Sequence, residues 1–146
     1  MTLENLLAIH KLQVIKPEKA AVAKLLASAA RNLDDSGLPQ LSVDNRFDAA
    51  YKTIMQCSMI GLLANGYRTS TSQPGHHQTA IQALPKTMGI SPDTVMVLDA
   101  LRRRRNLSDY EGDPIPNAIL NSCIAEAAEL LGHTREWLGH QHPDLV

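Results

Sequence analysis

Apolar positions recur along this chain at helical rather than strand spacing. Val22, Leu25, Leu26, Ala29 and Leu33 fall at i, i+3, i+4, i+7 and i+11. That stripe predicts an amphipathic helix with Pro17 in its first turn and Gly37 as its stop. Ahead of it, Leu3, Leu6, Leu7 and His10 share the spacing and predict a short helix within Thr2 to Val14. Leu38 to Val43 reads as a connection. Asp44 is then placed to cap a long helix carrying Phe47, Ala50, Tyr51, Ile54 and Met55 and running to about Asn65 and Gly66. The second half of that helix, Cys57 to Ala64, is apolar nearly all round, which places it in the middle of a bundle.

Thr69 to Gly75, reading TSTSQPG, is too polar and turn-rich to pack and predicts a mobile surface loop. A shorter helix is expected from Gln78 to Met88, ending before Pro85 or broken by it. Ser91 and Pro92 form an N-cap and first-turn pair for a helix carrying Val95, Val97, Leu98 and Leu101. After a turn at Gly112 and Pro114, Ile119, Leu120, Cys123, Ile124, Ala127, Leu130 and Leu131 define a last long helix. It is expected to continue through Gly132 to Trp137 and Leu138, with a frayed tail beyond. No internal repeat or linker interrupts the pattern, so residues 1–146 read as a single all-α domain, an up-and-down bundle of four to six helices.

Composition narrows this picture. A chain of 146 residues suffices for one core and is too short for two ordinary ones. With 44% hydrophobic and 20% charged residues it is neither a disordered tail nor a membrane protein. Aromatics are only 3%, so the core must be built from Leu, Ile, Val, Met and Ala, which favours close-packed helices over a sandwich of strands. No apolar run approaches the roughly 20 residues of a bilayer span. No charged-then-apolar leader opens the chain, and a cytoplasmic protein without a membrane partner is expected. The net charge of -1 argues against coating nucleic acid through diffuse positive charge, so any such contact must be local. Cys57 and Cys123 lie in apolar helical stretches and lack the paired spacing of a zinc site, which predicts buried reduced thiols and neither metal nor cofactor.

Chemistry is concentrated between Arg102 and Tyr110. At about 100° per residue, Val95, Val97, Leu98 and Leu101 share one side of their helix, and Arg105 falls on it. Arg102 and Arg104 flank that side, whereas Arg103 points away. Cations near a helix C-terminus offset its exposed carbonyls by a few tenths to about 1 kcal/mol each, and this is reading enough for Arg103 and Arg104. A guanidinium turned toward packed surface must instead meet an acid, a backbone carbonyl or an anionic ligand. For Arg105 the candidates are Asp99, Asp109, Glu111 or a bound anion.

The run Arg105-Asn106-Leu107-Ser108-Asp109-Tyr110, preceded by LDALRRR, resembles the signature segment of HEPN domains. The order of helices, the RFDAAY segment from Arg46 to Tyr51 and the helix end from Leu63 to Arg68 extend the likeness over most of the chain. In that family a helical bundle carries an Arg, then a polar residue, then a His, and two subunits bring these together at a dimer cleft. The resemblance implies a homodimer that binds RNA or nucleotide. It further implies a metal-independent ribonuclease, as in toxins paired with a nucleotidyltransferase antitoxin, or alternatively a non-catalytic nucleotide-binding or protein-interaction module. Arg105 is then the motif arginine, Asn106 the polar residue, and Tyr110 stands where His is usual. An ordinary tyrosine, with a pKa near 10, is a poor general base at neutral pH. Arg105 and Tyr110 are thus the candidate catalytic residues, with Arg102, Asn106, Asp109 and His77 around them for binding.

Five residues on a regular helix place Arg105 and Tyr110 about 140° apart. They converge only if the helix ends before Tyr110 or if the two groups come from different subunits across a two-fold axis. His76 and His77, after the polar loop, are either ordinary surface and capping residues or the source of the imidazole missing at position 110. His10, His133, His140 and His142 read as polar surface, and Tyr51 and Tyr67 as packed rings. Asp44 and Arg46 are expected to cap or pair at a helix start. Trp137 is expected to anchor the last helix on the bundle or on a second subunit.

Overall fold

The computed structural model describes residues 1–146 as seven helices and one two-stranded ribbon. In chain order these are α1 (Leu3–Ala8), β1 (Leu12–Val14), α2 (Lys19–Ser36), α3 (Val43–Ala64), β2 (Tyr67–Thr69), α4 (His76–Gln82), α5 (Leu84–Thr87), α6 (Pro92–Glu111) and α7 (Asn117–Gln141), closed by a 3-10 turn at Pro143–Leu145. The chain is an all-α bundle as its periodicity predicts, with four long helices and three short ones. None of its helices is long and apolar enough to cross a membrane.

α3 is the central helix because its apolar residues go round the cylinder: 13 of its 22 residues are buried, from Phe47 to Ala64. α2 and α7 pack along it, α2 through Val22 and Ala29, α7 through Leu120, Cys123, Ala127, Leu130 and Leu131. Polar residues inside the bundle are satisfied. Thr53 Oγ1 donates to the Ala29 carbonyl at 2.8 Å, and Ser58 and Thr134 donate to carbonyls one turn back on their own helices. At Gly61 a Cβ would stand 2.9 Å from Thr87 Oγ1, so the small residue lets the end of α5 lie directly on the α3 backbone.

Several local expectations are corrected. α1 stops at Ala8 because His10 takes a left-handed turn (φ 63°), and the chain continues as β1 rather than as helix. β1 pairs antiparallel with β2 in the register Leu12↔Thr69, Gln13↔Arg68 and Val14↔Tyr67. The polar stretch from Thr69 therefore begins inside the ribbon. Ser70 is buried too, its N–H donating to the Lys11 carbonyl at 3.0 Å. The cap of α3 is Ser42, whose hydroxyl accepts the Asn45 N–H, and Asp44 instead accepts the Ile115 N–H at 3.0 Å, tying the α6–α7 connection to α3. Arg46 reaches back to the Ser36 carbonyl at 2.8 Å.

α4 begins two residues before Gln78, at His76, and the Leu84–Pro85 step opens the separate α5. Ser91 and Pro92 start α6 as read, the serine hydroxyl accepting the Thr94 N–H at 3.2 Å. Only Leu98 and Leu101 of α6 are buried. Its contact line is too narrow to cover Val97, which is exposed against expectation. The tail is not frayed, since Leu145 inserts among Val22, Ile60, Leu63, Ala64 and Leu138. His142 lies on Trp137, ring centroids 4.8 Å apart, and His133 Nε2 meets the Met88 carbonyl at 2.8 Å, so neither is idle surface.

Cys57 and Cys123 are buried free thiols, as their apolar setting predicts. Burial pushes Cys57 up to about 11, Cys123 up to about 12 and the Tyr51 phenol up to about 12. Each of these groups gives up its proton at lower pH in the unfolded chain than in the fold. Their stabilisation is therefore complete below about pH 9 and is lost as pH rises toward 12, at up to about 1.4 kcal/mol per pH unit for each group. Melting temperatures taken under reducing conditions should hold near neutrality and fall steadily above pH 9. A melting temperature unchanged up to pH 11 would contradict this.

Candidate functional site

α6 continues to Glu111 and closes on the left-handed Gly112, so Arg105 and Tyr110 both lie on regular helix. The first route to their convergence, an early helix end, is ruled out within one chain. Tyr110 projects outward and is 86% exposed.

The start of α4 lies beside this part of α6. Gly75, His76, His77 and Gln78 form one wall of an open groove of about 270 Å³, and Arg102, Arg105, Asn106 and Tyr110 form the other. Five of the six residues proposed from sequence thus line one groove. The sixth, Asp109, stands beside it with Oδ2 3.7 Å from Arg105 Nη2.

The arginines differ in how they are held. Arg102 is 15% exposed and donates from Nε to Asp99 Oδ1 at 2.8 Å, so its charge is already matched. Arg103 is turned to solvent and touches the other oxygen of Asp99 at 3.4 Å. Arg105 is different. Its side chain is 28% exposed, and its guanidinium stands 3.8 Å from Asp48 and 3.7 Å from Asp109, neither at hydrogen-bond length. Its Cζ sits 5.1 Å from the centre of the Tyr51 ring, within cation–π range. The group lies over an aromatic ring beside two loose carboxylates, and it opens on the groove.

Asp48 is raised above the usual carboxylate range, first by burial and then by the charge of Asp109, with Arg105 opposing both. Arg105 therefore keeps two acids apart as well as facing the groove. Tyr51, almost fully buried, stays a neutral phenol at every ordinary pH and brings its hydroxyl to 3.4 Å from His77 Nδ1. Burial, then His76, Arg105 and Arg102, lower His77 below the usual imidazole range, so the ring is neutral near pH 7. The His76 ring stands edge-on to it, centroids 4.7 Å apart.

Sequence reading missed Asp48 and took Tyr51 for a packed ring only. Their i, i+3 spacing on α3 puts both toward α6, and their place in the RFDAAY segment was the available signal. No group of three or more His, Cys, Asp or Glu side chains is placed to hold a metal ion. No protein-family model matches the chain, and no curated protein or solved structure is significantly similar to it.

Proposed function

We propose that this protein is a HEPN-like RNA-binding protein, that its cleft is centred on Arg105, and that two copies of the chain pair through the outer face of α6. The observation that carries this reading is the state of Arg105. A purely structural arginine is expected to close on its carboxylate as Arg102 closes on Asp99, at 2.8 Å. Arg105 leaves gaps of 3.7 and 3.8 Å to its acids while lining a groove. A phosphodiester entering that groove offers shorter, charge-assisted hydrogen bonds than either carboxylate does. The exposed Tyr110 ring beside it is a surface on which a base can stack.

A second copy fits on the outer face of α6. Two of this helix's 20 residues are buried, which leaves most of its surface without a partner. Met96, Leu107 and Tyr110 are exposed at 70%, 44% and 86%. An antiparallel crossing of two α6 helices centred on Leu107 sets Arg103 opposite Glu111 of the partner subunit and Arg104 opposite Tyr110 of the partner subunit. Arg103, Asn106, Leu107, Tyr110 and Glu111 line the shallow groove on this face. Leu107→Glu should therefore turn a sedimenting dimer into a monomer with its helical signal intact. A wild-type chain that is monomeric at tens of micromolar would remove the second copy from the reading.

Binding is tested with labelled single-stranded RNA in EDTA, wild type against Arg105→Ala. Arg105-dependent binding supports the cleft, and no binding at low salt overturns it. Tyr110 in place of His favours one alternative, a non-catalytic nucleotide-binding or interaction module whose exposed phenol is a contact, or a hydroxyl modified by a nucleotidyltransferase partner. Calorimetry with nucleotides and a pull-down with such an enzyme separate that reading from the first.

A further inference from the structure

Resting on the RNA reading of the cleft, we infer that His77 and His76 are its acid–base pair and do the work for which Tyr110 is unsuited. His77 takes the proton from an attacking 2′-hydroxyl, and His76 gives one to the departing 5′-oxygen. In sequence the two histidines stand far from the arginine segment, but α4 carries them to its edge. The left-handed Gly75 (φ 80°) turns the chain into α4, so that two consecutive imidazoles face the groove in its first turn. They share it with Arg102 and Arg105, which makes two proton carriers and two fixed cations within one space.

His77 is also positioned as a base. A ring carrying its proton on Nδ1 donates to the Tyr51 oxygen at 3.4 Å and leaves the Nε2 lone pair for the groove. When Nε2 takes a proton, the Nδ1 bond to Tyr51 persists and holds the imidazolium in place. The groups facing His77 are Tyr51 from α3, His76 from α4, and Arg102 and Arg105 from α6. Burial first, and then the positive charge among these neighbours, keeps the ring in the neutral form a base requires. Tyr51 acts through His77 and is a positioning residue.

The reaction is an internal transesterification. The 2′-oxygen bonds to phosphorus as its proton passes to His77 Nε2, the bond from phosphorus to the 5′-oxygen breaks, and that oxygen takes a proton from protonated His76. The products are a 2′,3′-cyclic phosphate and a 5′-hydroxyl. Exchange with water then resets both rings. Arg105 neutralises the charge gathering on the non-bridging oxygens. The step involves no net oxidation, and its protons balance.

The test uses the full chain and a single-stranded RNA oligonucleotide in EDTA between pH 5 and 9, with product ends read by mass. The expected result is cyclic-phosphate ends and a rate that falls on the acid side as His77 is protonated. His77→Gln should slow cleavage by about 10²-fold or more while RNA affinity stays within a few-fold. His76→Gln should slow cleavage likewise, Tyr51→Phe should shift the acid limb, and the exposed control His140→Gln should leave both the rate and that limb unchanged. Cleavage at the wild-type rate by the two histidine variants would overturn the pair and leave the cleft standing. Arg105-dependent binding with no cleavage at any pH would do the same. Absence of RNA binding by the wild type would overturn the cleft itself.

Discussion

Arg105→Ala is expected to weaken single-stranded RNA binding by about ten- to a hundredfold at moderate salt, the equivalent of losing a hydrogen-bonded charge contact of about 1.5–3 kcal/mol. Arg103→Ala should cost less than threefold, because that side chain lies outside the Arg105 groove and already shares Asp99. The pair of variants separates a placed phosphate contact from diffuse attraction. Fluorescence anisotropy over a range of salt concentrations reads both. For Arg105→Ala the slope of log affinity against log salt should fall by about one phosphate's worth. Arg105→Lys keeps the charge but loses both the planar fork and the guanidinium's place over the Tyr51 ring, and should fall between the two.

A structural side effect has to be separated from this one. Without Arg105, Asp48 and Asp109 lose the cation they share, and Asp48 is already raised by burial and then by that neighbour. Arg105→Ala in an Asp48→Asn background relieves the repulsion. Binding that stays weak in the double variant assigns the loss to the phosphate contact. Equal affinities for wild type and Arg105→Ala at every salt concentration would sink the proposed site.

The parts of this molecule that were legible in the sequence are those written locally. The stripe from Val22 to Leu33, the all-round apolar half of α3 and the Ser91-Pro92 start of α6 each lie within a few turns of helix, so periodicity and capping chemistry suffice. The same holds for the contrast between Arg103, which faces water, and Arg105, which follows the Leu98–Leu101 line. What stayed hidden depends on distant partners. Leu12-Gln13-Val14 carries no strand signal of its own and becomes β1 only because Tyr67–Thr69 is folded beside it. Asp44 looks like a cap until Ile115 arrives at its carboxylate. Leu145 is one apolar residue in a polar tail, and no period announces that it docks. The candidate site divides in the same way. α6 announced its arginines, whereas the contacts of Arg105 with Tyr51, and of Tyr51 with His77, join three helices that no local pattern connects.

Tyr51→Ala should therefore have the largest effect on stability among the site variants, about 3–5 kcal/mol as for other large aromatic truncations in a packed core. Such a loss is a large share of the roughly 5–15 kcal/mol that holds a domain of this size together. The ring is 1% exposed and belongs to the main apolar cluster, in a chain with few other aromatics to fill the gap. Tyr51→Phe keeps the ring under Arg105 and loses only the hydroxyl bond to His77, so about 0.5–1.5 kcal/mol is expected. Urea unfolding of the two variants measures the difference directly. If the alanine variant does not fold, Tyr51→Leu fills most of the volume and still removes the aromatic face. A loss below 1 kcal/mol for Tyr51→Ala would mean that the ring is not part of the core. The expected ordering has a functional counterpart: because the same ring carries core packing on one side and Arg105 on the other, RNA affinity should fall with Tyr51→Leu and hold with Tyr51→Phe. The geometry of the groove is then set by the interior of the bundle.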